Sequence, residues 1–374
     1  LLIKQIAKHY PKDAHYKYSI NESNTDNNIK TNLLNELANS RFSLPNDVLY
    51  SFIDNKTSHH VRIQSHNLVL NCIAPYDVMP PIRFLLRICK RISCIMNIFS
   101  IDKSYTIWLL PIQLNRTFPD GSMVQPININ GGYTYMNGTT IYVYRYEECA
   151  KVLLHEILHH SIFDTYGKWT SNQVDEIRNV CNIDSTFDLN INEAIIEFWA
   201  ILLECLFVSY EYNIPYKLLL KKQQEWSFNQ SYKLLKYQQK YFKEWKEKTN
   251  AYCYIIIKTA LLLHYEEFIK RLTTMNSYQD QREFRKKLGY LFDTEFEFAQ
   301  DKTSVEVIFA GSPLVGYIGG DKYYTTIFKR TGTDTIVEEC VDSCIRILQA
   351  KKITGVSSYD VIGTDGTLAS LTSY

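Results

Sequence analysis

Three residues near the middle of the chain, His155, Glu156 and His159, have the types and the spacing that hold and use a metal ion. They lie in the segment KVLLHEILHHSIFDTYG, residues 151–167. On a helix, residues four apart project from the same face, so the two histidines can present imidazole nitrogens to one ion with Glu156 beside them. Such a pattern arises by chance about once in a hundred chains of this composition. A catalytic zinc ion also needs a third protein ligand, which makes that ligand the decisive test.

A later segment, DLNINEAIIEFWAILLE at 188–204, offers the third ligand. Glu193 and Glu197 are four apart on one face of a predicted helix, and the residues around them are mostly apolar. Buried carboxylates need a metal ion, a cation or hydrogen bonds, so both are candidates for a metal site. Two alternatives stay open at this point: Glu197 is exposed on an amphipathic helix, or 151–167 is simply a buried helix.

Together the two segments resemble the gluzincins, the thermolysin-like branch of the zincin metallopeptidases. That family combines HExxH, a spacer, and Asn-Glu-x-x-x-Asp/Glu on a second helix; here HEILH is followed by NEAIIE, with Glu193 34 positions after His159. The resemblance implies that His155, His159 and Glu193 bind one Zn²⁺ per chain and that Glu156 is the general base. It also implies that Glu197 accepts a hydrogen bond from the non-ligating nitrogen of a zinc-bound histidine.

The resemblance further implies a substrate that lies extended along an edge strand and pairs with it through main-chain hydrogen bonds. The candidates for that strand follow Gly131: Gly132, Tyr133, Thr134 and Tyr135. The spacer is longer than in thermolysin and closer to that of clostridial neurotoxin light chains, so the family within the clan stays open. No GxMEN element precedes the motif, which argues against M1-type aminopeptidases and favours an endopeptidase.

The elements that must position these residues can be predicted in order. Alternation and turn residues predict strands at 61–72 and 104–114 and a hairpin at 131–145 around Asn137-Gly138, whereas helical spacing predicts helices at 80–100, 146–161 and about 190–210. The expected fold is α+β and zincin-like: a small twisted mixed sheet with an edge hairpin and the HExxH helix, then a mainly helical C-terminal subdomain. The predicted divisions are an N-terminal extension (1–60), a zincin catalytic core (61–210), a helical subdomain (211–300) and a C-terminal mixed segment and tail (301–374).

Charge and cysteine content restrict the partners and the compartment. The chain has 41 basic and 40 acidic residues, a balance that disfavours a nucleic-acid-binding protein. A basic stripe in the helix at 80–100 (Arg83, Arg87, Lys90 and Arg91) indicates a solvated helix face or, alternatively, contact with an anionic partner. Nine cysteines without a CxxC pair favour reduced thiols, and no transmembrane segment or classical secretion signal is predicted. We therefore expect an intracellular, cytoplasmic protein.

The sequence thus predicts a zinc metallopeptidase, preferably an endopeptidase, whose partner is a protein or peptide substrate. The alternative is a structural or assembly protein that retains the zincin fold, with a structural or vestigial zinc site. Many Tyr, Asn, Ile and Lys residues indicate an AT-rich genome, such as that of some large DNA viruses or parasites. The long Tyr-rich helical half, the N-terminal extension and the tail keep open membership of a larger assembly, including a virion-associated location.

Overall fold

The computed structural model describes residues 2–21, 27–53, 58–135, 137–161, 163–164, 171–181, 183, 187–266, 268–269, 358–362 and 368–372. The chain divides into two compact units. The first comprises Leu1–Thr165, Trp199–Ile214 and Lys246–Ala251, and the second comprises Tyr166–Phe198, Pro215–Trp245 and Tyr252–Tyr374.

A six-stranded mixed sheet forms the centre of the first unit. Its strands are β1 (Lys17–Asn21), β2 (Ser58–Gln64), β3 (Leu68–Pro75), β4 (Tyr105–Leu109), β5 (Gly132–Thr134) and β6 (Thr140–Val143). They lie in the order β1-β2-β3-β4-β6-β5, so β5 is at one edge. The pairs β3/β4 and β4/β6 are parallel, whereas β1/β2, β2/β3 and β5/β6 are antiparallel.

Helices cover both faces of this sheet because side chains alternate between the faces along each strand. The helices of this unit are α1 (Leu2–His9), α2 (Asn27–Ala38), α3 (Asn46–Ile53), α4 (Ile82–Ile98), α5 (Pro126–Ile129) and α6 (Cys149–Leu158). Buried leucines of α2 and α3 pack with Tyr133, Tyr142 and Tyr144. Helices α4 and α6 contact the strands as well as each other. The alternate residues Ile141 and Val143, also buried, face that second layer.

The basic stripe of α4 is tied to acidic residues of this chain, so Arg91 is not on a solvated face. Arg91 is only 5% exposed, and its guanidinium donates to both oxygens of Glu204 and both oxygens of Glu211 at 2.6–2.9 Å. Arg87 lies 3.7 Å from Glu211, and Lys90 pairs with Asp13. The alternative of an anionic partner for the whole stripe loses its basis, because three of its four cations have internal partners.

The second unit is mainly helical in its described part. It contains α7 (Ser171–Cys181), the start of α8 (Ile191–Tyr212), α9 (Tyr216–Tyr241), a π-helical turn (Tyr252–Ile257) and α10 (Lys258–Leu263). The continuous helix α8 belongs to this unit up to Phe198 and to the first unit from Trp199. Buried hydroxyls join α9 to α10, since the Ser231 hydroxyl lies 2.9 Å from both the Ile255 carbonyl and the Thr259 hydroxyl. Strands β7 (Ser358–Ile362) and β8 (Leu368–Thr372) form an antiparallel pair.

The α+β class, the mixed sheet and the mainly helical second half are confirmed. The single strand predicted at 61–72 was wrong: a turn closed by the Ser65 amide and the Leu68 carbonyl splits it into β2 and β3. Residues 1–60, predicted as an extension, supply β1 and helices α1 to α3, while the fourfold division itself stays a prediction. Of the predicted C-terminal mixed segment and tail (301–374), only 358–362 and 368–372 are among the described residues. Among the described helices, none has the length and apolar character that crossing a membrane requires.

Candidate metal centre

Helix α6 is mostly buried; it carries His155 and Glu156 of the HExxH motif, and His159 is its C-terminal capping residue. Val152, Leu153 and Leu154 precede the motif, and Ile157 and Leu158 lie within it; all five are buried. This apolar content, together with contacts to α4, β5 and β6, explains why the segment is a packed helix. His155 and Glu156 are each 6% exposed on the same helix. The segment is therefore both a buried helix and a carrier of polar groups that require partners.

His155, in α6, and His159, which caps the C-terminus of α6, face each other through their Nε2 atoms, which are 3.2 Å apart. Two nitrogen ligands of a tetrahedral zinc ion, each 2.0–2.1 Å from the metal, lie about 3.3 Å apart. The observed separation fits two corners of such a tetrahedron. A hydrogen bond between one Nε2–H and the other Nε2 would give the same distance. A third ligand is therefore needed to favour a metal ion over a histidine pair.

Glu193, in the first turn of α8, joins the two histidines. One ligand atom from each of His155, His159 and Glu193 lies within 4.8 Å of the others. Asn190, just before α8, donates through Nδ2 to Oε1 of Glu193 at 3.3 Å, which orients the carboxylate. Two imidazoles and one carboxylate are a donor set that zinc uses in catalytic sites. This group could hold a metal ion; that the ion is zinc stays a prediction.

Asp164 is a neighbour of the site that the sequence analysis missed. Its Oδ2 atom lies 3.4 Å from Nδ1 of His159, the ring nitrogen that does not face His155. A carboxylate at the second nitrogen fixes the tautomer and the ring orientation of a metal-binding histidine. The only sequence signal was an acidic residue a short turn after the motif. Glu197, expected in this role, is 8% exposed on α8, and its hydrogen bond to a histidine stays a prediction.

Glu156 is a nearly buried carboxylate of the first unit. It contributes to the environment of Tyr144, whose pKa is raised mainly by burial and, to a smaller extent, by the Glu156 carboxylate. The Tyr144 hydroxyl donates to the Phe42 carbonyl, so this phenol is held in the core. A carboxylate that is 6% exposed and adjacent to the histidine pair is suited to take a proton from a water molecule there.

The predicted substrate strand is β5, at the edge of the sheet and in contact with α6. A Cβ atom on Gly131 would lie 2.9 Å from the side chain of Val152, and one on Gly132 would lie 2.5 Å from the Tyr142 carbonyl oxygen. Both glycines therefore allow β5 to approach its neighbours closely. The Tyr133 side chain is buried, that of Thr134 is half-buried, and that of Tyr135, just beyond the strand, is 54% exposed.

Two further histidines lie outside the metal-ligand group. His160 packs its ring against that of Tyr105, with the ring centroids 5.2 Å apart. His264 is 3% exposed, and burial lowers its pKa to about 3. It is therefore a neutral, buried histidine of the second unit at physiological pH. No family model, no curated protein and no solved structure matches this chain.

Proposed function

We propose that this chain is a zinc-dependent peptidase of the gluzincin type, with a zincin-like fold, that cleaves within protein or peptide substrates. The observation that carries the proposal is the metal-ligand group: two histidine Nε2 atoms 3.2 Å apart with a carboxylate oxygen of Glu193 among the same atoms. Glu156 supports it further, because a nearly buried carboxylate adjacent to the ligands gives the site a base. The HExxH and NExxxE spacing adds independent support from the sequence.

His155, His159 and Glu193 would hold the ion, and Asp164 and Asn190 would orient two of these ligands. When bound, zinc would supply Lewis-acid polarisation of the substrate carbonyl and would acidify a water molecule. A Glu156 carboxylate oxygen would take the proton of that water and return it to the leaving amine nitrogen. The edge strand β5 would orient the substrate by main-chain pairing. The apolar residues around α6 would limit the access of bulk water to this proton transfer.

Metal analysis of the purified chain tests the proposal first. We expect about one zinc ion per chain, loss of the ion in Glu193→Ala, and full retention in Glu244→Ala, a matched change at an exposed glutamate. His155→Ala should also lose the ion, whereas exposed His66→Ala should retain it. Absence of zinc from the wild-type chain would refute the proposal.

Cleavage of an unstructured protein then tests the activity. We expect the zinc-loaded wild-type chain to cleave internal peptide bonds, a chelator to stop the reaction, and added zinc to restore it. Zinc without any cleavage would contradict the peptidase and would favour the alternative, a zincin-fold assembly protein with a structural metal.

A further inference from the structure

We infer that Arg145, assisted by Arg116, is a positioning residue that sets the edge strand β5 against the HExxH helix and thereby aligns an extended substrate. This inference rests on the proposed function. It concerns two arginines that are neither metal ligands nor part of the proton transfer. Both bind main-chain carbonyls just upstream of β5, within the first unit.

Arg145 is a fully buried cation held by carbonyl groups. It is 0% exposed, and its guanidinium donates to the carbonyl oxygens of Asn130 at 2.8 Å, Leu114 at 2.5 Å, and Ile127. Burial, and then the nearby Arg116 cation, lower the pKa of Arg145 to about 10, so it stays protonated at neutral pH. An apolar residue could fill this volume without the cost of removing a charged guanidinium from water. The arginine instead holds the backbone that leads into β5 in one position through its hydrogen bonds to the carbonyls.

Arg116 holds the same segment from a second direction. Its Nε donates to the Ile129 carbonyl at 2.7 Å, between the two carbonyls that Arg145 holds at 127 and 130. Its Nη1 lies 3.3 Å from Glu147 and 3.1 Å from Glu148, just before α6 begins. Arg116 therefore links the entry of β5 directly to the start of the helix that carries the motif.

The glycine pair explains why this placement has to be accurate. The Gly131 carbonyl accepts from the Tyr144 amide at 3.0 Å, which continues the series of fixed carbonyls into the strand. At Gly132, an added Cβ would lie 3.0 Å from Val152, one helical turn before Glu156. The backbone of β5 thus rests on α6 without an intervening side chain. A shift of β5 relative to α6 would therefore change how a peptide paired with β5 lies against the motif on that helix.

The consequence concerns substrate length. A short peptide depends on the metal group and Glu156, whereas a longer peptide also gains main-chain hydrogen bonds by pairing with β5, the outermost of the described strands on this side of the sheet. A misplaced β5 should therefore lower kcat/KM more for long peptides than for short ones. A variant that merely lowers stability would reduce the rates for both peptides to the same degree.

The experiment uses the full-length, zinc-loaded chain and two nested peptides with one cleavage site, about four and about ten residues long. The measured quantity is the ratio of kcat/KM for the long peptide to that for the short one. We expect Arg145→Met to retain zinc and to lower this ratio about tenfold to thirtyfold, the worth of about two net hydrogen bonds. Arg145→Lys should recover part of the ratio, and Arg116→Met should lower it about threefold to tenfold, since one carbonyl contact is lost.

The matched control is Arg91→Met, which also removes a buried arginine of the first unit but one that carboxylates hold. It should lower the melting temperature and leave the ratio unchanged. If Arg145→Met does not fold, Arg116→Met decides, because its side chain is 20% exposed and less integral to the core. A wild-type ratio in the folded variants overturns the inference alone. A wild-type chain that binds no zinc or cleaves neither peptide overturns the proposed function and this inference with it.

Discussion

Replacing Arg91 by methionine should lower the unfolding free energy by about 3 kcal/mol, because the change leaves two carboxylates without their main cation. The Arg91 guanidinium donates to Glu204 at 2.7 and 2.8 Å and to Glu211 at 2.6 and 2.9 Å. The side chains of Arg91 and Glu211 are 6% and 8% exposed. Water can therefore replace few of the hydrogen bonds that the arginine donates to the two carboxylates.

The magnitude follows from the exposure of each partner. Removing one member of a fully buried ion pair costs about 3–5 kcal/mol. Glu204 has a side chain that is 23% exposed, and Arg87 stays 3.7 Å from Glu211, which places the cost at the lower end. For a unit of this size, about 3 kcal/mol corresponds to a fall in melting temperature of roughly 6–12 °C.

Thermal unfolding followed by circular dichroism measures this loss. The triple variant Arg91→Met, Glu204→Gln, Glu211→Gln should recover most of it, because no buried charge is left without a partner and the amide at 211 can still accept from Tyr10. Arg62→Met, at an exposed arginine of β2, should change the melting temperature by less than about 1 °C. A loss below about 1 kcal/mol for Arg91→Met would mean that the cluster contributes no more than surface ion pairs do, which would refute the reasoning.

Three further predictions concern pH, packing and metal affinity. The folded chain keeps His264 neutral, whereas the unfolded chain takes up a proton on this side chain below about pH 6.5. Between pH 7 and pH 5, the unfolding free energy measured by urea titration should therefore fall by about 2 kcal/mol more in the wild type than in His264→Gln. An equal fall in both proteins would contradict this prediction. Gly132→Ala should cost about 1–3 kcal/mol by the same assay, and Gly131→Ala less, because its Cβ meets side chains instead of a backbone carbonyl. Equal losses of unfolding free energy in the two variants would show that the close approach of β5 to the Tyr142 carbonyl does not set the cost. Asp164→Asn should weaken zinc binding about tenfold to a hundredfold in a competition titration, because His159 loses the carboxylate that orients its ring. An unchanged zinc affinity would show that Asp164 does not orient His159 for metal binding.

Local patterns in the sequence indicated part of the candidate metal-ligand group and the hairpin of β5 and β6. The spacing of His155 and His159 placed both on one helix face, and Asn137-Gly138 indicated the hairpin that forms β5 and β6. Their apolar surroundings made Glu193 and Glu197 both candidates, and the resemblance of NEAIIE to the gluzincin motif singled out Glu193 as the ligand. The helix-face and hairpin inferences use residues within one or two helical turns, or one hairpin, of each other, whereas Glu193 lies 34 positions after His159.

Contacts between distant segments could not be predicted in this way. Arg91 looked like part of a solvated stripe, since its partners Glu204 and Glu211 are more than 100 positions away. Arg145 donates to main-chain carbonyls. Because every residue carries a main-chain carbonyl, the sequence does not show which ones bind Arg145. The polar, Asn-rich start of the chain gave no indication that β1 pairs with β2, because a short edge strand with exposed side chains lacks a clear hydrophobic pattern.

Cleavage by Glu156→Gln, measured together with its zinc content, tests the central claim most directly. Glutamine keeps the shape of the side chain but cannot take a proton, so the account predicts that the variant retains one zinc ion per chain and loses hydrolysis by a factor of at least about 100. Activity within a few-fold of the wild type, with the metal still bound, would contradict the assigned role of Glu156 and the proposed peptidase mechanism.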